Sequence, residues 1–430
     1  MRSRRFDPSS TSSPRSASSS RLPTVRQVAV TGLGALTPLG GDGAAFAAAL
    51  VEGRCAVGPL TRFAYAGRCA LAAEATEPAS LAAARGALPE ATVRRLSRPD
   101  RFALVAVEEA LREAGLDTPA LAAAGVFVGA TVGGIGESEE AYRRRQTGED
   151  RRWRLSRLLG TPLSTTGAAI AQAFGAHGPR ATYSTACSSS ALAIAEAAAA
   201  IRSGRIEVAL AVGTDALCRV TYAGFDALQA LDPRGCRPFD RDRGGLSLGE
   251  GAAALVLEDA ARARARGARI IARVLGHASS SDAHHVTAPD PEGRGALAAL
   301  RGALASASLS PDAVDYVNAH GTGTRHNDEM EVRVLRAVFG QRLPRLPVSS
   351  TKAQLGHCLG AAGAIEAAAT VIALDGAFLP ATPTLREPDP AWSDLDLVPV
   401  PGRRQASEVA VTSSYGFGGH NVTLAVRRVP

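Results

Sequence analysis

The chain has 430 residues, 46% of them apolar and 21% charged, an ordinary balance for a globular protein long enough for two fused core-sized units. No apolar run reaches the roughly 18 residues of a membrane span, and the start lacks the apolar segment of a secretory signal. Most of the net charge of +7 comes from residues 1–26, and the nearly neutral remainder argues against nucleic-acid binding. We therefore expect a cytoplasmic protein with no membrane and no nucleic-acid partner.

Residues 1–26 are basic and rich in Ser and Arg, which predicts a disordered tail, with an organellar targeting segment as the alternative. The folded part alternates short apolar strands with helices, a pattern typical of an α/β protein. The predicted strands are 28–30, 126–128, 181–184, 208–212, 252–257, 270–275, 314–318, 409–413 and 422–426. The predicted helices are 101–114, 164–174, 188–203, 294–307, 327–339 and 361–374. A division near Ala268 gives two similar α/β halves, residues 27–268 and 269–430.

The cysteines, histidines and lysine set limits on the chemistry. The six cysteines show no C-x-x-C pair, and no H-E-x-x-H or H-x-x-H pattern occurs, which argues against a disulfide framework and a metal site. Among 48 Lys and Arg residues, Lys352 is the only lysine. A lone lysine suggests a task that a guanidinium cannot perform.

A cysteine lies at the junction of a predicted strand and a predicted helix. Cys187 follows strand 181–184 and precedes helix 188–203, which is apolar on all sides and therefore predicted to be buried. The first turn of a helix offers unpaired N–H groups and the positive end of the helix dipole, which favour a thiolate. Cys187 is thus a candidate nucleophile, and a buried structural cysteine is the alternative.

Two histidines follow later strands. His320 ends strand 314–318 and opens a Gly- and Thr-rich loop, while His357 lies five residues after Lys352, before a helix that carries Glu366. Polar groups collect at strand ends in α/β sites, so we expect a site here, although each histidine taken alone could be structural. Residues 413–421 place glycines around Phe417, which predicts an aromatic on an unusual backbone or an ordinary tight turn. No phosphate-binding glycine motif indicates a nucleotide.

In combination, these segments resemble the motif series of the β-ketoacyl synthases. Thr-Ala-Cys-Ser-Ser-Ser at 185–190, His-Gly-Thr-Gly-Thr at 320–324, Lys352 with Gly-His at 356–357, and Gly-Phe-Gly-Gly at 416–419 follow the family's order and spacing. The resemblance extends from about residue 28 to residue 428. It implies the thiolase fold, with duplicated halves in α-β-α-β-α layers, and usually a homodimer. It also implies a decarboxylative condensation of an acyl thioester with malonyl-acyl carrier protein, without a cofactor.

The resemblance further implies roles for the matching residues. Cys187 would hold the acyl chain as a thioester, and His320 and His357 would hydrogen-bond the malonyl thioester carbonyl and assist loss of CO2. Lys352 would order His320, with support from Glu366. The remaining implied contacts are an oxyanion hole from the N–H groups of Cys187 and Phe417, a gate at Phe417 between Gly416 and Gly418, and phosphopantetheine binding by Thr322 and Thr324.

Two further assignments are weaker hypotheses. Val132 lies where elongating fatty-acid enzymes of this family commonly carry a bulkier Ile, which suggests a roomier acyl pocket. An acidic carrier protein needs a basic docking face, and the predicted face is a run of four arginines, for which a solvated charge run is the alternative. These residues are Arg94, Arg95, Arg98 and Arg101.

Three related classes are excluded by residues of this sequence. A thiolase would carry a second cysteine in the glycine loop at 416–421, which has none; a chalcone-synthase-like enzyme would have an Asn where this chain has His357; and a chain-length factor would lack Cys187. Two alternatives stay open. A cysteine acyltransferase or thioesterase would release no malonyl-derived CO2, and a non-catalytic partner subunit would not be acylated at Cys187. The sequences of these motifs resemble those of polyketide synthases more than those of fatty-acid enzymes.

Overall fold

The computed structural model describes residues 25–76, 88–149 and 155–429, so residues 1–24 of the predicted tail lie outside it. Its strands are β1 (Val28–Leu36), β2 (Val57–Pro59), β3 (Leu71–Ala73), β4 (Gly125–Gly129), β5 (Arg180–Tyr183), β6 (Val208–Asp215), β7 (Leu248–Gly249), β8 (Gly251–Asp259), β9 (Ala272–Ser281), β10 (Tyr316–Asn318), β11 (Pro347–Ser349), β12 (Phe378–Leu379), β13 (Asp396–Leu397), β14 (Arg403–Arg404), β15 (Val409–Gly416) and β16 (His420–Arg428).

The α-helices are α1 (Gly43–Glu52), α2 (Glu90–Val93), α3 (Arg98–Ala114), α4 (Thr118–Leu121), α5 (Ile135–Gln146), α6 (Ser164–Phe174), α7 (Ser189–Arg202), α8 (Arg219–Ala227), α9 (Ala260–Ala265), α10 (Arg294–Ser306), α11 (Arg325–Phe339), α12 (Lys352–Leu355) and α13 (Ala362–Asp375). Short 3-10 helices occupy Leu155–Gly160, Pro311–Ala313, Gly340–Arg345, Leu359–Ala361 and Pro390–Trp392. In the described residues, no helix is both long enough and apolar enough to cross a membrane.

The strand order reveals an internal duplication. The main sheet runs β13-β11-β10-β15-β16-β9-β1-β8-β6-β4-β5. The sheet contains two sets of five strands, β5-β4-β6-β8-β1 and β11-β10-β15-β16-β9. When only the strands of a set are counted, in chain order, both sets have the spatial order third, second, fourth, fifth, first. Each set also has two parallel pairings followed by two antiparallel ones. The two sets meet where β1 pairs with β9.

Apolar clusters show how the helices sit against the strands. The central helices α7 and α13 contact each other and pack with strands of both sets in one core. Helices α3 and α6 cover the outer face of the first set, and α10 and α11 cover the outer face of the second. This arrangement of five layers confirms the predicted thiolase fold.

Local sequence explains the helices that frame the site. Helix α3 begins where the Asp100 carboxylate accepts a hydrogen bond from the Ser97 N–H at 2.9 Å, and it ends at Gly115 in the left-handed conformation. Helix α7 is built mainly from Ala and Ile, so neighbouring elements approach it closely and its inner residues are buried. The predicted boundaries of helix 164–174 are confirmed, and the predicted strand 208–212 continues to Asp215, a buried carboxylate.

Candidate active site

Cys187 lies on a sharp turn between β5 and α7. Ala186, the preceding residue, has φ +52°, a left-handed conformation that costs a residue with a side chain about 1 kcal/mol. Its carbonyl oxygen accepts hydrogen bonds from the Thr131 hydroxyl at 3.0 Å and the Ser189 hydroxyl at 2.6 Å. These contacts hold the turn, and the Cys187 thiol lies 6% exposed at the base of a cavity.

The charge state of Cys187 differs from the prediction. Burial raises the pKa of the thiol to about 11, although the backbone N–H of Phe417, the charge of Lys352 and its own N–H act in the opposite direction. The helix start acts in the expected direction through the Cys187 N–H, but it does not bring the pKa of the thiol below its usual range. Desolvation outweighs the helix terminus because the sulfur is almost completely enclosed.

The turn between β15 and β16 brings Phe417 against the cysteine. Gly416 is required there, because a Cβ atom on it would lie 2.7 Å from the Thr185 carbonyl oxygen. This approach lets the Phe417 N–H reach the sulfur. The Phe417 ring stacks on Phe225 with centroids 5.6 Å apart, and Gly418 follows with φ +81°. The structure thus places Phe417 at the cavity, with its N–H and that of Cys187 directed at the same atom.

His320 is held by a buried ammonium. The Nζ atom of Lys352 lies 3.1 Å from His320 Nδ1 and donates to the His320 carbonyl oxygen at 2.7 Å. It also forms an ion pair with Glu366, and all three side chains are almost fully buried. The three N–H groups of the ammonium therefore have three acceptors. Because His320 Nδ1 accepts one of these hydrogen bonds, the hydrogen of the neutral ring lies on Nε2.

His357 presents its ring in the same way. Its Nδ1 accepts a hydrogen bond from the Leu359 N–H at 3.0 Å, so the ring hydrogen lies on Nε2. That Nε2 is buried and without a protein partner. Burial, together with the positive charge of Lys352, holds the pKa of both His320 and His357 well below the usual range, so both rings are neutral.

The three predicted groups converge. Cys187 Sγ and one ring nitrogen from each of His320 and His357 lie within 4.8 Å of one another, and the two ring centroids are 5.6 Å apart. They line a cavity of about 420 Å³. Thr322 and Thr324 line the same cavity, with their hydroxyl oxygens 2.9 Å apart.

A thiol and two imidazoles are also a donor set that zinc accepts. Metal binding requires an unprotonated lone pair on each coordinating nitrogen. The hydrogen bonds to Nδ1 of His320 and His357 leave protonated Nε2 atoms facing the cavity. The donor set therefore fits a hydrogen-bond donor site better than a metal site.

Other predicted residues lie elsewhere. Val132 is buried in an apolar cluster with Tyr222 and Leu359 and does not line the cavity that contains Cys187. Phe225 packs against this cluster and also lines the cavity. The docking prediction is wrong for Arg98, which is 5% exposed and paired with buried Glu250 at 2.6 Å. The remaining arginines of that run do not line the cavity either; Arg94 and Arg95 are exposed and Arg101 is half-buried.

Two carboxylates that bind the backbone of the loop at His320 were not predicted from the sequence. Glu331 accepts the N–H groups of His320 and Gly321, each at 2.7 Å, and Asp328 accepts that of Thr322 at 3.1 Å. Burial raises the pKa of Glu331 to about 7. The signal was a pair of acidic residues three positions apart on a helix that immediately follows the loop.

Comparisons with known proteins agree with this geometry. Residues 25–263 match the family "Beta-ketoacyl synthase, N-terminal domain", and residues 271–386 match "Beta-ketoacyl synthase, C-terminal domain". The chain belongs to the β-ketoacyl synthase family. The "3-oxoacyl-[acyl-carrier-protein] synthase 2" of Synechocystis sp. is 38% identical, over 94% of this chain and 98% of the relative.

Another relative of this β-ketoacyl synthase is named as a polyketide enzyme. The "Putative polyketide beta-ketoacyl synthase 1" of Streptomyces halstedii is 39% identical, over 92% of this chain and 96% of the relative. Among solved structures, "The ishigamide ketosynthase/chain length factor" superimposes with a TM-score of 0.87 at 32% identity, over 94% of this chain and all of that one. The protein is a condensing enzyme of fatty-acid or polyketide chain elongation.

Proposed function

We propose that the enzyme carries out a decarboxylative condensation in which Cys187, His320 and His357 act on the substrate directly. The observation that carries this proposal is the convergence of one thiol and one ring nitrogen from each of two histidines within 4.8 Å. In the first half-reaction the Cys187 sulfur attacks an acyl thioester, the acyl group transfers to it, and the thiol proton ends on the departing carrier thiol. Covalent capture divides one difficult reaction into two easier ones.

The second half-reaction uses the histidines. Loss of CO2 from a malonyl thioester leaves its electron pair as an enolate, with negative charge on the thioester oxygen. The Nε2–H groups of His320 and His357 donate to that oxygen, and each such donor supplies about 3–4 kcal/mol in comparable sites. Neutral rings suit this role, since both hydrogens are already in place.

Bond formation returns to the cysteine. The enolate carbon attacks the acyl carbonyl on Cys187, the C–S bond breaks, and the sulfur leaves as a thiolate that takes a proton from solvent. The N–H groups of Cys187 and Phe417 support the oxygen of this tetrahedral intermediate. Lys352 and Glu366 act through His320 by fixing its orientation and tautomer. None of these steps draws on a cofactor.

We propose an acyl carrier protein as the partner that delivers both substrates. Cys187 is buried within the cavity, so a substrate must reach it on an extended arm, and Thr322 and Thr324 offer hydroxyls in the same lining. Its mouth carries the exposed side chains of Arg325 and His326 beside the exposed apolar side chain of Leu228. A positive charge beside an exposed apolar side chain is complementary to an acidic helix on the surface of a carrier protein.

The docking proposal is tested by charge reversal. Arg325→Glu should raise the KM for acyl-carrier protein about five- to tenfold at low salt, with kcat within twofold, because rim charges act on encounter. Arg95→Glu, at an exposed arginine away from the mouth, is the matched control and should leave KM unchanged. The reverse pattern would restore the predicted arginine run as the docking face.

We propose a dimer, formed with a second copy or with a related subunit. The support is β5, an edge strand of the main sheet that lies next to the Cys187 turn. An uncovered strand edge is an aggregation hazard that proteins usually protect. Light scattering on the purified chain alone separates a homodimer from a chain that stays monomeric until a related subunit is added.

One assay tests the proposed reaction. The purified chain is incubated with acyl-carrier protein and malonyl-carrier protein, and CO2 and 3-oxoacyl product are measured. Equal release of both supports the proposal. Hydrolysis or acyl transfer without CO2 indicates a cysteine acyltransferase or thioesterase, and absence of acylation at Cys187 by mass spectrometry indicates a non-catalytic subunit.

A further inference from the structure

One buried carboxylate is hydrogen-bonded to the two segments that contact the Cys187 turn and His357. Asp215, the last residue of β6, is fully buried and accepts four backbone hydrogen bonds. Its Oδ2 accepts from Thr131 at 2.9 Å and Gly360 at 2.7 Å, and its Oδ1 from Val132 at 2.8 Å and Gly133 at 3.0 Å. A carboxylate has about four lone-pair sites, so its capacity is filled.

One of these contacts leads to the nucleophile. The Thr131 N–H binds Asp215, while the Thr131 hydroxyl donates to the carbonyl oxygen of Ala186 at 3.0 Å. Ala186 is the residue held at φ +52° directly before Cys187. A strained turn persists only where its surroundings fix it. The position of the sulfur therefore depends on where Asp215 holds Thr131.

A second contact leads to His357. The Gly360 N–H binds Asp215, and the adjacent residue, Leu359, also has a left-handed backbone with φ +54°. The Leu359 N–H donates to His357 Nδ1 and so determines which ring nitrogen carries the hydrogen. A Cβ atom on Gly360 would lie 2.6 Å from the carboxylate, so this loop closes directly onto Asp215.

We propose that Asp215 is a positioning residue that couples Cys187 to His357. It belongs to the first strand set, whereas Gly360 follows β11 of the second, so one anion joins the two parts of the site. Burial raises the pKa of Asp215 to about 6, against the effect of its four N–H partners, and the group remains mostly ionised above neutral pH. The proposal rests on the proposed function and adds a residue outside the reacting groups.

The experiment compares Asp215→Asn with Asp100→Asn. Asp100 is another buried aspartate of the first half, bonded to Ser97 and Thr166 away from the cavity. In Asp215→Asn, an amide N–H₂ must face backbone N–H donors. We therefore expect kcat to fall about 10- to 100-fold, as it does when residues that orient functional side chains are changed in other enzymes. The KM for malonyl-carrier protein should stay within twofold. Asp100→Asn should lower the melting temperature comparably and leave kcat within threefold.

A second variant separates the two contacts. Thr131→Val removes the hydroxyl bond to Ala186 and leaves the backbone bond to Asp215. It should slow acylation of Cys187 about tenfold, while CO2 release from malonyl-carrier protein offered alone stays within twofold. Asp215→Asn should slow both half-reactions.

The outcomes distinguish this inference from the proposed function. Equal kcat values for Asp215→Asn and Asp100→Asn would overturn the coupling role, and so would a Thr131→Val variant that slows both half-reactions equally. If Asp215→Asn does not fold, the Thr131→Val result decides alone. A wild-type chain that forms no CO2 and no 3-oxoacyl product contradicts the proposed function instead.

Discussion

The two halves of the molecule hold their parts of the active site by different means. Cys187, from the first half, is uncharged at neutral pH and is positioned by backbone contacts, namely the turn at Ala186 and the close approach of Gly416 from the second half. In the second half, His320 is positioned by a buried charge network of Lys352 and Glu366. The cysteine depends on a backbone turn and His320 on a buried ion pair, so different substitutions should damage each.

The largest expected effect is at the nucleophile. Cys187→Ala should lower condensation at least about 10³-fold, because no acyl-enzyme can form, in line with removal of other catalytic nucleophiles. Intact-protein mass spectrometry should show no acyl adduct at residue 187. Cys55→Ala, at an exposed cysteine, is the control and should remain fully active. An adduct that persists without Cys187 would contradict the assignment.

Removing a histidine should affect the other half-reaction. His357→Ala should slow CO2 release from malonyl-carrier protein about 10²- to 10³-fold, because one donor to the enolate oxygen is lost. Acylation of Cys187 should continue, since the turn and its N–H groups are unchanged. His177→Ala, which changes an exposed histidine outside the cavity lining, is the matched control. Equal loss of acylation and CO2 release would show that the division between the halves is wrong.

The charge network predicts a link between activity and stability. Lys352→Met leaves the Glu366 carboxylate buried without its cation and should cost about 3–5 kcal/mol in the free energy of unfolding, with condensation reduced about 10- to 100-fold. The double variant Lys352→Met/Glu366→Gln should recover most of the stability in urea denaturation, yet remain slow. Full recovery of activity in the double variant would show that Lys352 has no role beyond neutralising Glu366.

The last prediction concerns pH and needs no change to the active site. Because the pKa of Cys187 is raised to about 11, its alkylation by iodoacetamide should rise about tenfold per pH unit from pH 7 to 10, as the thiolate fraction grows. Label at the other cysteines is subtracted with the Cys187→Ala variant. A rate that is already level at pH 7 would mean that the helix start does stabilise a thiolate.

Much of this site could be predicted because its parts are local in sequence. The uniqueness of Lys352, the glycines around Phe417 and the strand-to-helix junction at Cys187 are visible in short segments. The charge state of the Cys187 thiol could not be predicted that way, since it depends on enclosure by the distant segments that carry His320, His357 and Phe417. Arg98 was misplaced for a similar reason: its partner, Glu250, lies 152 residues away along the chain.

The repeated strand order gives the two active-site loops equivalent places. Cys187 follows β5, the third strand of its set, and Lys352 follows β11, the third strand of the other; Thr131 and His320 come two residues after the second strands. Two identical subunits related by a twofold axis would have to present the same side chain on both sides. A single continuous chain is free of that symmetry, and here the equivalent loops carry different side chains, a thiol at Cys187 and an ammonium at Lys352.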